Sequence, residues 1–355
     1  MSAVATPAGQ GRDGAARLVL GVESSCDEMA AAVVERGRRI LSSVIHSQTD
    51  VHAPYGGVVP ELASRDHVRS ISAVVEQALR DAGTGAEALT GIAVTNGPGL
   101  VGSLLVGLSF GKALALRLGV PLVGVHHLAG HLASAELADP SFAPPYLGLV
   151  VSGGHTALYR IEDGAPPVLL GQTRDDAVGE AFDKVAKLLG LPFPGGPAVA
   201  AAAVRGDPES VALPRPLAGL PGLEFSYSGL KTAVAIEVRK RSPLAPQDVA
   251  DIAASFEAAA TDVLVARARR ALAQEGLARL AVVGGVAANR RLRVRVAEAA
   301  REDGFRVVIP PPALCTDNAA MIAAAGAALL ARGERDGPGL EAFSRAPLGA
   351  RAPAA

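Results

Sequence analysis

The chain reads as an α/β protein of two lobes with a ligand cleft, and three observations predict this. Two stretches, one near the N-terminus and one near the middle, share an order of apolar strand, acidic or small-residue turn, and second strand, which marks a duplicated unit. At 355 residues the chain is longer than one hydrophobic core usually covers. Hydrophobic residues make up 49% and charged residues 19%, so large cores can be buried. Aromatic content is only 3%, and Gly and Ala fill much of the chain, so those cores depend on close backbone approach.

Taken in order, Leu18 to Glu23 is a buried strand, and Ala30 to Val34 and Ile40 to Ile45 follow as an antiparallel meander. Glu23-Ser24-Ser25-Cys26-Asp27-Glu28 is the polar turn between the first two, with three carboxylates. Pro60 to Ala82 has the apolar spacing of an amphipathic helix. Ile92 to Thr95 is a strand, Asn96 to Gly99 a tight turn, and Val101 to Leu118 a helix apolar nearly all round. Pro121 to Val125 is a short strand that opens into a helix bearing three histidines. Tyr146 to Val151 and Thr156 to Ile161 form a hairpin around Ser152-Gly153-Gly154-His155. Ala177 to Leu189 is a helix, Pro192 to Pro197 a rigid turn, and Pro246 to Ala273 and Asn289 to Ala300 are helices flanking the strand Leu280 to Val283. A last apolar helix runs from about Thr316 to Ala331.

Composition excludes several classes. The formal net charge is −1, so any nucleic-acid surface is local or supplied by a partner. Two cysteines, Cys26 and Cys315, make no disulfide framework and fit a reducing compartment. Residues 1–16 lack a basic start and an apolar core, so they read as a disordered tail rather than a signal peptide. Val101 to Leu118 is at the short limit for a membrane span and contains Lys112 and Arg117, which argues against one. Gly107 and Gly111 within it are spaced for close packing. A helix apolar on every side needs cover on every side, from a sheet and from a second protein.

The chemistry gathers at the turns. His127 and His131 lie one helical turn apart on one face, where two imidazoles can share a divalent cation; His126 is rotated away. The alternative is a pair of ordinary core or surface histidines. Asp317, far downstream in Cys315-Thr316-Asp317-Asn318, offers a third ligand for a two-His, one-carboxylate site suited to iron or zinc. Equally, Thr316 or Asp317 can be read as the N-cap of the last helix. Ser152-Gly153-Gly154 exposes backbone N–H groups of the kind that bind phosphate, or is a plain glycine turn. Gly284-Gly285-Val286-Ala287-Ala288-Asn289 is a second strand-to-helix turn, and it has neither Rossmann nor Walker spacing. Arg290, Arg291, Arg293 and Arg295 form either an RNA-phosphate contact or a solvated helix face.

In these blocks the chain resembles the TsaD family, whose older names are Gcp and glycoprotease. The matching stretches are Gly21 to Glu28, Gly56 to His67, Asn96 to Leu100, the histidine helix, Val151 to Thr156, Gly179 to Lys184, Phe225 to Lys231, Gly284 to Arg291 and Cys315 to Asn318, in the family's order. The resemblance implies an α/β, two-lobed actin-like and sugar-kinase-like (ASKHA) fold with duplicated ribonuclease-H-like halves. It divides the chain into a tail (1–16), a partner-binding N-terminal lobe (17–125), a metal- and nucleotide-binding lobe (126–331) whose last helix returns toward the first, and a flexible end (332–355).

It further implies a metal held by His127, His131 and Asp317, with Fe2+ favoured and zinc as the alternative. Val150, Val151, Ser152, Gly153, Gly154, Asp183, Gly196 and Asn289 would contact an adenylate. Many relatives carry an Asp four residues after the second glycine of the Pro-Gly-Gly turn to hold the ribose; Ala200 stands there, so that contact is not carried over. The implied activity is cytoplasmic, metal-dependent transfer of threonylcarbamoyl from threonylcarbamoyl-AMP to the exocyclic amine of the adenosine 3′ of the anticodon in tRNAs reading codons that begin with A. Glu23 and Asp27 are candidates to orient groups or assist proton removal. The implied partners are tRNA, a TsaB-like paralogue docked on the first lobe and a TsaE-like ATPase. A charge at Leu105 or Leu108 is expected to weaken the pairing with the paralogue.

Two rival readings remain at this level. The His-x-x-x-His spacing also occurs in metallopeptidases, but Leu128-Ala129-Gly130 between the histidines lacks the Glu general base of their motif. An actin-like ATPase module would be distinguished by ATP hydrolysis as its main output.

Overall fold

Neither Leu18–Glu23 (β1) nor Glu28–Glu35 (β2) alternates apolar with polar residues, and both are buried on their two faces. With Arg39–Ser47 (β3), Gly91–Gly97 (β4) and Leu122–His126 (β5) they form a sheet in the order β3-β2-β1-β4-β5. β1 pairs antiparallel with β2 and parallel with β4; β2 and β3 are antiparallel, β4 and β5 parallel. The computed structural model describes residues 17–349. Residues 1–16, read above as a disordered tail, and 350–355 of the expected flexible end lie outside the described residues.

The second sheet repeats this plan. Tyr146–Val151 (β6), Thr156–Ile161 (β7), Val168–Gln172 (β8), Arg279–Val283 (β9) and Arg306–Val308 (β10) are ordered β8-β7-β6-β9-β10. Again the first strand is antiparallel to the second and parallel to the fourth, and the outer pairs match those of the first sheet. The duplication is therefore fuller than the doubled strand-turn-strand suggests. β8 and β10 were not expected: β8 is a half-exposed edge strand, and β10 has only three residues, too few to show a period.

The helices are Thr49–His52 (α1), Pro60–Asp81 (α2), Val101–Leu118 (α3), His127–Ala138 (α4), Val178–Leu188 (α5), Gly195–Ala203 (α6), Ser228–Arg241 (α7), Pro246–Glu275 (α8), Arg290–Asp303 (α9), Pro312–Cys315 (α10) and Ala319–Ala331 (α11). Two correct the sequence reading. The stretch expected to be only a rigid turn continues from Gly195 as α6, with Pro197 in the first turn, where a missing N–H costs no helical hydrogen bond. α7 buries only Leu230 and Val234, so its apolar stripe was too narrow to read.

These elements stack in five layers. α2 and α3 cover the outer face of the first sheet, α11 covers its inner face, α4 packs on α11 and covers the inner face of the second sheet, and α5 to α9 cover the far side. Close approach is made by glycine. A Cβ at Gly21 would stand 2.2 Å from the Ala319 carbonyl oxygen, and one at Gly326 would stand 2.2 Å from the Ala93 Cβ. α3 is long and apolar enough to cross a membrane, yet Gly107 and Gly111 set it against Ser24 and Val94 of the first half. Leu108 is 2% exposed and Leu105 48% exposed. Leu108 is thus core, which corrects its pairing with Leu105 as a surface position.

Residues 332–349, expected to be flexible, have little regular structure but are tied down. The Asp336 N–H donates to the Leu122 carbonyl (2.8 Å), the Phe343 N–H to that of Asn96 (3.0 Å), and His126 Nε2 to that of Ala346 (3.2 Å).

Candidate metal centre and cleft

The two inner helices start side by side, and the candidate ligands sit at those starts. β5 ends at His126, whose Nδ1 accepts the Leu128 N–H and so caps α4. His127 and His131 then follow on the face of α4 turned toward the beginning of α11. α11 is capped by Asn318, whose side-chain oxygen accepts the Met321 N–H at 3.0 Å. The cap is therefore neither Thr316 nor Asp317. Asn318 takes that duty and leaves the Asp317 carboxylate facing the histidines, with Oδ1 3.2 Å from His131 Nε2 and 3.6 Å from His127 Nε2.

The chemistry of this trio calls for a cation. His131 is fully buried; its Nδ1 has no hydrogen-bond partner, and its Nε2 has only the Asp317 carboxylate beside it, without the alignment of a hydrogen bond. His127 is oriented from behind: its Nδ1 lies 3.1 Å from Glu23 Oε2, which also accepts the Thr95 hydroxyl at 2.6 Å. Glu23 Oε1 takes the Ser25 N–H at 2.6 Å. Burial alone would lower the His127 pKa, but Asp317 and Glu23 outweigh it and push it up to about 9. Burial likewise raises Asp317, but the nearby His127 and His131 hold it well below the usual carboxylate range. The buried Glu23 and half-buried Asp317 carboxylates thus favour positive charge between them, and a metal ion can supply it in place of a proton. Among the described residues, His127, His131 and Asp317 form a group that could hold one metal ion, with ligand atoms within 4.8 Å of one another.

The turns of the second half converge beside this trio through glycines. A Cβ at Gly284 would stand 2.4 Å from the Val151 oxygen, one at Gly179 2.6 Å from the Ser152 oxygen, and one at Gly195 2.5 Å from the Asp183 Cα. Gly153, Gly154, Gly196 and Gly285 by contrast have open space where a Cβ would be. Val150 and Val151 are fully buried in β6, so within the Val150 to Gly154 stretch it is Gly153 and Gly154 that are exposed. Ser152 is spent on its own turn: its N–H donates to the His155 carbonyl, and its hydroxyl accepts the His155 N–H.

Asp183 accepts the Gly195 N–H at the start of α6 (2.8 Å). Its pKa is raised, first by burial and further by the charge of Asp27. Asp27, on the first-half turn, thus lies near enough to Asp183 for its charge to be felt there. Asn289 caps α9 through its oxygen and donates to Glu257 at 2.7 Å. Ala200 lies on α6. Of the arginine run, Arg293 is bound to the Pro310 carbonyl and Cys315 sulfur, and Arg295 to Glu298 and Asp262. Neither is a free phosphate contact.

Sequence reasoning gave His155 no role of its own. Burial, then the charges of His127 and His131, lower its pKa to about 4, so it stands neutral beside the trio. Its place directly after the two exposed glycines was the available signal.

Residues 39–324 match the family described as "TsaD: tRNA N6-adenosine threonylcarbamoyltransferase". A tRNA N6-adenosine threonylcarbamoyltransferase of Anaeromyxobacter dehalogenans (strain 2CP-C) is 56% identical over 325 residues, 91% of this chain and 97% of the relative. One of Geobacter sp. (strain M21) is 53% identical over 331 residues, 93% and 96% of the two. Among solved structures, T. kodakarensis HypF is similar with a TM-score of 0.60 at 14% identity, over 90% of this chain and 48% of that one. Component A of the (R)-2-hydroxyglutaryl-CoA dehydratase of Acidaminococcus fermentans gives 0.52 at 17% identity, over 88% and 99%. These two likenesses concern the fold, which is the two-lobed actin-like (ASKHA) α/β architecture with duplicated halves.

Proposed function

The chain belongs to the TsaD family of tRNA N6-adenosine threonylcarbamoyltransferases, and from that premise we propose a concrete reading of its cleft. It transfers the threonylcarbamoyl group of threonylcarbamoyl-AMP to the exocyclic amine of the adenosine 3′ of the anticodon, in tRNAs reading codons that begin with A, and releases AMP. The observation that carries the reading is the cation-demanding trio His127, His131 and Asp317 beside a ring of open glycine turns.

In this reading the trio holds one divalent metal, with Fe2+ favoured and zinc as the alternative. When bound, the metal supplies Lewis-acid polarisation of the donor group and charge stabilisation at the reacting centre. Glu23 keeps His127 in the tautomer that presents Nε2 to the site. Gly153, Gly154, Gly196 and Gly285 let the adenylate lie against backbone, with Asp183 and Asn289 at its rim; Val150, Val151 and Ser152 shape the turn from beneath. The ribose contact at position 200 is absent because Ala200 has no polar group. Asp27 orients the incoming amine or assists its deprotonation. An anticodon loop presents its base at little unstacking cost.

The partner reading belongs to the same proposal. A TsaB-like paralogue docks on the apolar outer surface of α2 and α3, where Val68, Val101, Leu105 and Leu116 are exposed. A TsaE-like ATPase joins the assembly in the cytoplasm. No membrane contact is needed, because one side of α3 already lies on the sheet and the paralogue covers the other.

The deciding experiment is incubation of the purified chain and its partners with threonylcarbamoyl-AMP and unmodified tRNA, followed by nucleoside mass analysis. Threonylcarbamoyladenosine and an equivalent of AMP are expected. Steady ATP hydrolysis or peptide cleavage, without modified nucleoside, would overturn the reading.

A further inference from the structure

The turn Glu23–Glu28 is held in two separate halves. Its first half is fixed by Thr95, by His127 and by the Ser25 N–H through the Glu23 carboxylate. The second half is reached by a chain of buried polar groups from α1 and α2 that the reaction described above does not use. The Val59 N–H donates to His52 Nδ1 at 3.2 Å, and His52 Nε2 meets Gln48 Oε1 at 3.2 Å. Gln48 Nε2 meets His67 Nδ1 at 2.9 Å and the Ala63 carbonyl at 3.3 Å. His67 Nε2 meets the Cys26 carbonyl oxygen at 2.9 Å. Gln48, His52 and His67 are each fully buried.

Both ends of this chain have fixed roles, since a backbone N–H only donates and a carbonyl only accepts. Every proton between them is therefore assigned: both imidazoles are neutral with hydrogen on Nε2, and the Gln48 amide has one orientation. Three polar side chains are buried without penalty only because each link is made. The Gln48 backbone N–H also donates to the Asp27 carbonyl at 3.1 Å. The chain thus ends on two consecutive carbonyls, those of Cys26 and Asp27, and fixes the peptide planes on either side of Asp27.

We propose that His67, backed by Gln48 and His52, is a positioning residue that holds the Cys26–Asp27 half of the turn in its working orientation toward the cleft. The inference rests on the transfer reaction proposed above. His67 itself touches neither the trio nor the open glycines, and acts only through the Cys26 carbonyl.

The test uses the full chain with its partners, threonylcarbamoyl-AMP and unmodified tRNA. His67→Phe keeps a planar ring, adds some volume at a buried position, and removes both hydrogen bonds. It is expected to lower kcat roughly ten- to hundred-fold, the range seen when outer supporting groups are lost, while KM for tRNA and donor and the bound metal stay unchanged. His67→Gln keeps a donor for Cys26 and should recover most of the loss. Gln48→Leu should reproduce the Phe phenotype, and the double variant His67→Phe/Gln48→Leu should be no worse than either single one, because both break one chain. If the Phe variant does not fold, the Gln and Leu variants carry the comparison. Folded variants with kcat within a factor of about two of the parent, or losses that track metal content and are not relieved by Gln, would overturn the inference. A parent protein that modifies no tRNA would instead overturn the functional reading beneath it.

Discussion

At the scale of single residues, His131 states its need most directly: a fully buried imidazole whose Nδ1 has no partner and whose Nε2 has only the Asp317 carboxylate, 3.2 Å away. His131→Ala is expected to reduce bound metal and tRNA modification together, by at least the roughly ten- to hundred-fold that outer partners of metal ligands cost. Elemental analysis of the purified variant checks this, and full occupancy with full activity would contradict it. Glu28 makes a different statement. Burial, then the charges of Asp27 and Asp317, raise its pKa to about 7 against the single hydrogen bond from Ser47, and its Oε2 has no partner. A carboxylate whose folded pKa is raised favours folding in its protonated form, so the contribution is complete below the unfolded value of 4.5 and is lost as pH climbs through about 7. Glu28→Gln should therefore be more stable than the parent at pH 8, by on the order of 1–2 kcal/mol after solvent screening, and equal to it near pH 4. Chemical denaturation at both pH values decides, and a difference that does not change with pH would exclude the mechanism.

At the scale of elements, α3 separates two functions that its sequence blends. One side, with Leu104, Leu108 and the two glycines, is packed on the first sheet; the other exposes Val101, Leu105 and Leu116. Leu108→Asp places an unpaired charge in the core and is expected to cost several kcal/mol, enough to abolish folding. Leu105→Asp alters only an exposed position, within about 0.5 kcal/mol of parental stability, yet should weaken association with the paralogue. Sedimentation of each variant with that partner is the check. Parental affinity in Leu105→Asp would remove this face from the proposed interface. The same blending explains why apolarity all round the helix was legible in the sequence, whereas its division into core and surface was not: periodicity reports no direction when every face is apolar.

For the whole molecule, the central layer of α4 and α11 decides stability and site together. Both helices pack against sheets on glycine-sized contacts, and both begin at the candidate ligands. A methyl at Gly326 would have to displace the Ala93 Cβ at 2.2 Å, with the Val123 and Val125 methyls at 3.4 Å. Gly326→Ala should thus cost about 1–3 kcal/mol. Calorimetry should show the melting temperature falling by roughly 2–4 °C for each kcal/mol in a chain of this size, with metal affinity falling in parallel. An unchanged melting temperature would mean that the layers are less tightly coupled than the contacts indicate.

The sequence by itself determined what is local or repeated. It contained the i, i+4 histidine pair, the doubled strand-turn-strand, the glycine turns and the long helices, because each is written in spacing that neighbouring residues carry. It also contained the blocks whose order identified the family. Only the tertiary structure decided what depends on residues far apart in the chain. Asn318 rather than Asp317 caps α11 because Asp317 faces His131, 186 positions away in sequence but 3.2 Å away in space. β8 and β10 form because a neighbouring strand offers hydrogen bonds, not because their own few residues show a period. Glu23 behind His127, and His67 behind Cys26, are polar residues whose partners come from other elements. Burial without partners is too costly for such groups, so their presence implies a partner, but spacing along the chain cannot say which one.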